Sequence, residues 1–383
     1  MKRLFIVLIL ILAVAVTPAS AVSVQNVFGA AGNGPVVLGP GTLGALCTAP
    51  AVCPDMWDVM ASEGEGVFYG EIALGPTRST CLKSIDFGLT FSDCPTNYPV
   101  TGVNRELDIT GNSSILSMRF ESSVLGRCVI DKSTDGGNSW VAITVATAAN
   151  FRCNPVGSGG GVNPREQLRC IENICLALVD SAATGLDMIY RSNDNGDTWT
   201  LVFTSTLTAY GGIYFDGTYG FASTFDVING QAWSTDDGFS WVEQASVSIV
   251  NRICGSGVFA TITGLTEGVV FPCTDAGLTQ LRMSEFTFAA TVLASSMPTH
   301  AFNATQSNQL AQRAVNRLYA FIFSSVATGS IWYSADGAVT WFDITTGVIP
   351  GITRMTEFRI VNGDLYFTYT SAGGLGMARI TGG

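Results

Sequence analysis

The side chains able to do chemistry are few and unevenly placed. Carboxylates recur as Asp86, Asp135, Asp194, Asp236, Asp275 and Asp336, each two positions after a serine or cysteine and each with a glycine one or two positions later. Arginines beside or near glutamates recur separately, as Arg105-Glu106, Arg165-Glu166, Arg252, and Arg354 with Glu357 close by; Arg313 or Arg317 is a fifth candidate. The chain has 383 residues, 10 cysteines and one histidine, His300. One histidine removes most routes to histidine base catalysis and to histidine-rich zinc sites. Carboxylates, tyrosines and arginines must carry any chemistry, so no metal and no cofactor is expected.

The arginine and glutamate pairs precede short apolar runs: Arg105 before Leu107, Arg165 before Leu168, Arg252 before Ile253 and Arg354 before Met355. If those runs are equivalent strands, the pairs form a ring of cations and carboxylates, and guanidinium pairs bidentately with a carboxylate ligand. Three readings stay open: salt bridges that tie neighbouring units together, a binding face for an anionic ligand, or catalysis by Glu106, Glu166 or Glu357. A glycosidase needs two carboxylates about 5 to 9 Å apart, a distance that sequence does not supply.

The aspartates belong to a repeat. Ser84-Ile85-Asp86-Phe87-Gly88-Leu89-Thr90-Phe91 returns as Ser133 to Trp140, as Ser192 to Trp199 and as Ser234 to Trp241. Two degraded copies run from Cys273 to Gln280, which lacks the serine and the aromatic, and from Ser334 to Trp341, which has Ala338 in place of glycine. The six starts lie 49, 59, 42, 39 and 61 residues apart, the period of a four-stranded propeller blade with loop insertions. Around the third copy, Leu168 to Ile171, Cys175 to Val179, Met188 to Arg191 and Leu201 to Phe203 read as four short strands with the repeat at the third turn. Three strands without a repeat close the chain, at Glu357 to Val361, Leu365 to Tyr369 and Gly376 to Ile380, and one strand is expected near Val36-Val37-Leu38. The fold class is therefore all-β: a single propeller of seven four-stranded blades, six being the alternative count, closed by strands from both termini.

The repeat resembles the Asp-box, the bacterial neuraminidase repeat Ser-x-Asp-x-Gly-x-Thr-Trp. Its physics is that of a hairpin turn: the carboxylate accepts backbone N–H groups, the hydroxyls bond locally and glycine admits positive φ. The six aspartates accordingly read as structural rather than ion-binding. In families with this turn it lies at the propeller rim, away from the ligand face. Those families include sialidases, xyloglucan-type glycosidases, sortilin-like receptors and the photosystem II assembly propeller, so the resemblance implies a fold and not a function. A sialidase would open with Phe/Tyr-Arg-Ile-Pro before the first box. The nearest string here, Phe358-Arg359-Ile360-Val361, lacks the proline and follows the last box. Xyloglucan-type enzymes usually carry two propellers, and this chain has residues for one. An arginine patch on one face is also how the photosystem II assembly propeller looks, which implies a peptide partner.

Composition sets the partners. Only 13% of residues are charged, 47% are hydrophobic and the net charge is −11, the reverse of a disordered composition. There are 3 lysines, which excludes the cationic surface that nucleic acid requires. Met1-Lys2-Arg3, the apolar run Leu4 to Val16 and Ala19-Ser20-Ala21 form a secretory signal with cleavage expected after Ala21. The expected domains are a signal at 1–21 and the propeller at 22–383, with no membrane insertion after cleavage. Cysteines in an exported chain read as disulfides, with nearest neighbours paired: Cys47 with Cys53, Cys81 with Cys94, Cys128 with Cys153, Cys170 with Cys175, and Cys254 with Cys273.

Weaker features remain. Gly157-Ser158-Gly159-Gly160-Gly161 is a flexible loop with no phosphate-binding Lys-Ser/Thr after it. Asn112-Ser113-Ser114 and Asn303-Ala304-Thr305 are glycosylation sequons if the source is eukaryotic. His300 reads as a loop residue, and Ser295 to Gln312 as a surface excursion or binding loop. The expectation is a secreted, periplasmic or extracellular binding or scaffold module for a glycan or protein. The alternative is a sialidase-like hydrolase with an altered site.

Overall fold

The computed structural model describes residues 23–26, 56–64, 67–75, 78–86, 92–94, 103–121, 127–145, 168–181, 186–206, 210–224, 230–234, 236–245, 258–260, 268–275, 278–285, 290–292, 309–314, 316–323, 329–343, 352–361, 364–371 and 374–381. All regular structure among them is antiparallel β, in seven sheets of four strands. The last sheet takes its outer strand from the N-terminal side: β1 (Ser23–Asn26) pairs with β28 (Gly374–Thr381), followed inward by β27 (Asp364–Ser371) and β26 (Ile352–Val361). The other six sheets each use four consecutive strands. The first is β2 to β5 (Met56–Gly64, Val67–Gly75, Arg78–Ser84, Ser92–Asp93). The second is β6 to β9 (Val103–Ile109, Ile115–Glu121, Arg127–Ser133, Val141–Ile143). The third is β10 to β13 (Leu168–Ile171, Ile174–Asp180, Asp187–Ser192, Thr200–Thr204). The fourth is β14 to β17 (Tyr210–Phe215, Gly220–Thr224, Gly230–Ser234, Val242–Ala245). The fifth is β18 to β21 (Val258–Ala260, Gly268–Asp275, Leu278–Glu285, Ala290–Val292). The sixth is β22 to β25 (Gln309–Ala314, Arg317–Phe323, Gly329–Ser334, Phe342–Asp343).

First strands lie beside first strands. β2 neighbours β6, β6 neighbours β10, β10 neighbours β14, β18 neighbours β22, β22 neighbours β26, and β26 returns to β2. The core fills the space between consecutive sheets. Leu116, Met118, Cys128 and Ile130 of the second sheet meet Leu168, Cys170, Ala177, Met188 and Tyr190 of the third, and Leu176, Leu178 and Ile189 of the third meet Ile213, Phe215, Ala222 and Ala232 of the fourth. Burial on both faces of the middle strands is what the unbroken apolar runs of β11 and β12 require.

Two strand expectations change. The N-terminal partner of the last sheet is Ser23–Asn26, with Ser23 opposite Thr381, while Val36 to Leu38 lie outside the described residues. Pairing with β28 is made by backbone groups, so the polar Ser-Val-Gln-Asn can supply this strand without a hydrophobic signature. The segment Cys273 to Gln280 is not equivalent to the other repeats. It joins the second and third strands of its sheet, with Asp275 opposite Leu278, whereas the other five copies join third to fourth. An Asp-x-Gly-x-Thr string also suits a tight hairpin, which explains the false match.

Two disulfides join sequence neighbours. Cys81–Cys94 ties the third strand of the first sheet to the residue following its fourth, and Cys170–Cys175 bridges directly opposed residues of β10 and β11. Cys128 is also disulfide-bonded, and no cysteine among the described residues is free. Cys47, Cys53, Cys153 and Cys254 lie outside the described residues.

Candidate functional site

Antiparallel order gives every sheet two different ends. The first and third turns share one end, the turn end. The start of the first strand and the second turn share the other, the approach end. Backbone bonds hold the turn end together: Asn195 N–H donates to the Asn173 carbonyl (3.0 Å), Asp237 N–H to Thr218 and Gly337 N–H to Asn316 (both 2.9 Å).

At the turn end the repeated octapeptide makes one network several times. The opening serine hydroxyl donates to the aspartate Oδ1 at 2.7–2.9 Å in all five third turns (Ser84, Ser133, Ser192, Ser234, Ser334). Where the whole turn is described, the N–H of Ser139, Thr198, Ser240 or Thr340 donates to the same Oδ1 at 2.8–2.9 Å, and its hydroxyl donates to Oδ2. The closing tryptophan Nε1–H reaches the carbonyl of Gly137, Gly196, Gly238 or Ala338 at 3.0–3.1 Å. Two successive residues take positive φ, including Asn195 (59°) with Gly196 (84°), and Gly337 (73°) with Ala338 (70°).

These donors fix the carboxylates in their charged form. Hydrogen bonds from Ser139 hold the Asp135 carboxyl at about 2. For Asp194, Asp236 and Asp336 burial pushes the carboxyl up, but bonds from Thr198, Ser240 and Thr340 and from the opening serines outweigh it, and all three lie below the ordinary value. Every lone pair used is used locally. Among the described residues no cluster of three or more His, Cys, Asp or Glu could hold a metal.

The turn end also contains cations that the sequence reading passed over. The residue just before the opening serine reaches the next sheet's turn. Lys132 Nζ bonds Asp197 at 2.7 Å, Arg191 Nε–H donates to the Asp237 carbonyl at 2.8 Å, and Lys83 lies against Gly136, 5.0 Å from the Tyr69 ring. Lys132 and Arg191 are thus inter-sheet ties, while Lys83 sits over Tyr69 of its own sheet beside the next sheet's turn. Their signal was present: a cation at one fixed position of three consecutive repeats. Deeper in, Asp108 of β6 accepts the N–H of Cys170 at 2.7 Å and faces Arg169 at 3.8 Å. Burial pushes its carboxyl up, opposed by Arg169 and by the N–H groups of Cys170 and Ile109.

Toward the approach end several first strands slip in register, as β2 and β22 also do beside their first turns. Arg105 falls in a register shift of β6, between Asn104 opposite Arg119 and Glu106 opposite Met118. Arg354 and Glu357 stand opposite Thr370 and Thr368, each just after a further shift in β26. β2 shifts between Met56 and Val59, which leaves Trp57 and Asp58 without opposed residues. Neither Trp57 nor Asp58 was singled out from sequence, because a bulge is set by pairing with a partner strand. Arg165, Glu166 and Arg252 lie outside the described residues, as do His300, Asn303 and the loop 157–161. Arg313 and Arg317 belong to the other end: Arg317 opens β23 at the first turn, opposite Ala314. Asn112 is exposed on the first turn of the second sheet, where its Oδ1 accepts from Thr110 (2.7 Å) and Ser114 (3.2 Å). The last four residues of the stretch Ser295 to Gln312 are strand rather than loop.

No protein-family model and no curated protein matches the chain. Solved structures do. Ycf48 from Cyanidioschyzon merolae is 13% identical, with 85% of this chain and 94% of that chain covered and a TM-score of 0.57. The GH74 enzyme of Niastella koreensis is 16% identical over 89% of this chain (TM-score 0.58), and the GH74 xyloglucanase of Xanthomonas campestris 12% over 93% (TM-score 0.56). The chain spans about half the length of those two enzymes, 53% of each. At these identities the likeness carries the architecture alone: the chain has the all-β, four-stranded-sheet fold of the β-propellers.

Proposed function

We propose that the protein is a secreted, disulfide-stabilised, seven-bladed propeller, that its repeated third turns are Asp-boxes, and that it acts as a binding or scaffold module whose ligand face is the approach end. One observation carries this reading: the turn end spends its repeated polar groups on itself, while arginines and carboxylates at the approach end sit on bulged first strands, where a bulge re-aims side chains. Disulfides within sheets suit an oxidising compartment. The similar fold of Ycf48, solved bound to D1 peptide, supports binding as a use of such a scaffold.

A hydrolase is the second reading, favoured by carboxylates on three neighbouring first strands, Asp58, Glu106 and Glu357. The test is a glycan and protein array probed with the mature protein, beside a fluorogenic glycoside screen. The double variant Arg105→Ala/Arg354→Ala loses the ligand at unchanged melting temperature, and Lys132→Ala/Arg191→Ala keeps it. Turnover of a glycoside that Glu106→Gln or Glu357→Gln abolishes would replace the binding module with an enzyme.

A further inference from the structure

The seven first strands differ in how they pair. β2 advances three residues, Met56 to Val59, while β3 steps only from Ile72 to Glu71. β6 skips Arg105, and β26 skips Thr353 and Thr356 on either side of Arg354 and Met355. β10 and β18 pair without a shift, β14 is irregular only at Gly211, and the shift in β22, like a second shift in β2 between Ser62 and Gly64, falls at the turn end. β2 lies between β6 and β26. The topology therefore places Trp57, Asp58, Arg105, Glu106, Arg354 and Glu357 within the first six residues of three adjacent strands. Irregular backbone in an otherwise regular fold collects at functional sites.

The chemistry of this sector differs from that of an anion cradle. Three carboxylates face the count of two guanidiniums, so one negative charge is in surplus, within a chain of net charge −11. An anionic ligand is disfavoured. Two arginines equally disfavour a basic peptide. A sugar hydroxyl both donates and accepts, which suits acceptor-only carboxylates set among donor-only guanidiniums. A tryptophan adds the broad apolar face that binding sites combine with a few polar groups. We propose that Trp57, Asp58, Arg105, Glu106, Arg354 and Glu357, brought together by register on β26, β2 and β6, form a binding site for a neutral oligosaccharide. This rests on the approach end being the ligand face.

The mature full-length protein is titrated calorimetrically with cellohexaose, xylohexaose, mannohexaose and laminarihexaose, and with hexagalacturonate and hexalysine for comparison. At least one neutral hexasaccharide binds below about 1 mM, Trp57→Ala weakens it about tenfold or more, and Trp57→Phe stays within about threefold. Melting curves of both variants separate loss of the site from loss of the fold. If no neutral hexasaccharide binds, or if Trp57→Ala leaves binding unchanged at native melting temperature, the glycan site is refuted. If hexagalacturonate or hexalysine binds instead and Arg105→Ala/Arg354→Ala changes it, the glycan is refuted while the approach end stands as the ligand face. Neutral binding that responds only to Lys132→Ala or Arg191→Ala refutes both.

Discussion

The two ends of each sheet are built from the same polar residue types and use them in opposite ways. At the turn end, Asp194 takes both oxygens' bonds from Ser192 and Thr198 within one octapeptide, and Lys132 is 5% exposed and spent on Asp197. At the approach end the acids and arginines lie on first strands whose pairing slips. The lesson is that repetition marks scaffold here, and that the polar groups left over from the repeat are the ones on which the proposed ligand face depends.

The largest effect expected at the turn end is steric. A Cβ on Gly196 would stand 2.6 Å from Leu116 Cδ1, at φ +84°. Gly196→Ala should therefore cost about 2–4 kcal/mol, combining left-handed strain with overpacking, measured by urea unfolding. Next comes the carboxylate. Asp194→Ala should cost about 2 kcal/mol, since it orphans the Thr198 N–H and two hydroxyls, whereas Asp275→Ala should cost at least about 1 kcal/mol less, because Asp275 occupies a different turn. Equal losses would erase the distinction between true and false copies.

Acid should act on the turn end as a whole. The carboxyls of Asp135, Asp194, Asp236 and Asp336 titrate lower folded than unfolded, so their stabilisation is complete above the ordinary value of 3.8 and is withdrawn as pH falls through the folded value, about 2 for Asp135. The melting temperature should drop between about pH 4 and 2, and Asp194→Asn with Asp336→Asn should flatten that drop. Asp108 has the opposite sign: its carboxyl is raised, so its contribution is lost as pH rises through the folded value. The smallest effect is a gain. Ala338 holds φ 70° where the other complete turns have glycine, so Ala338→Gly should stabilise by up to about 1 kcal/mol.

The sequence made the turn end legible because its bonds are local: serine at the first position, aspartate at the third, the positive-φ residue at the fifth and tryptophan at the eighth all meet within eight residues. Local information also misled, since Cys273 to Gln280 copies part of the pattern in a hairpin joining second and third strands. What depends on a distant partner was not legible. Ser23–Asn26 is a strand because Gly374–Thr381 accepts it, and Trp57 has no opposed residue because β2 advances three residues there while β3 advances one. Arginines were found by type, but only pairing register distinguishes Arg105 from Arg317.

The measurement that tests the division of labour most directly is amide hydrogen exchange with and without the bound ligand. Protection should appear at 56–58, 103–107 and 352–357, with 133–140, 192–199, 234–241 and 334–341 unchanged. Protection confined to the four repeated turns would contradict the account.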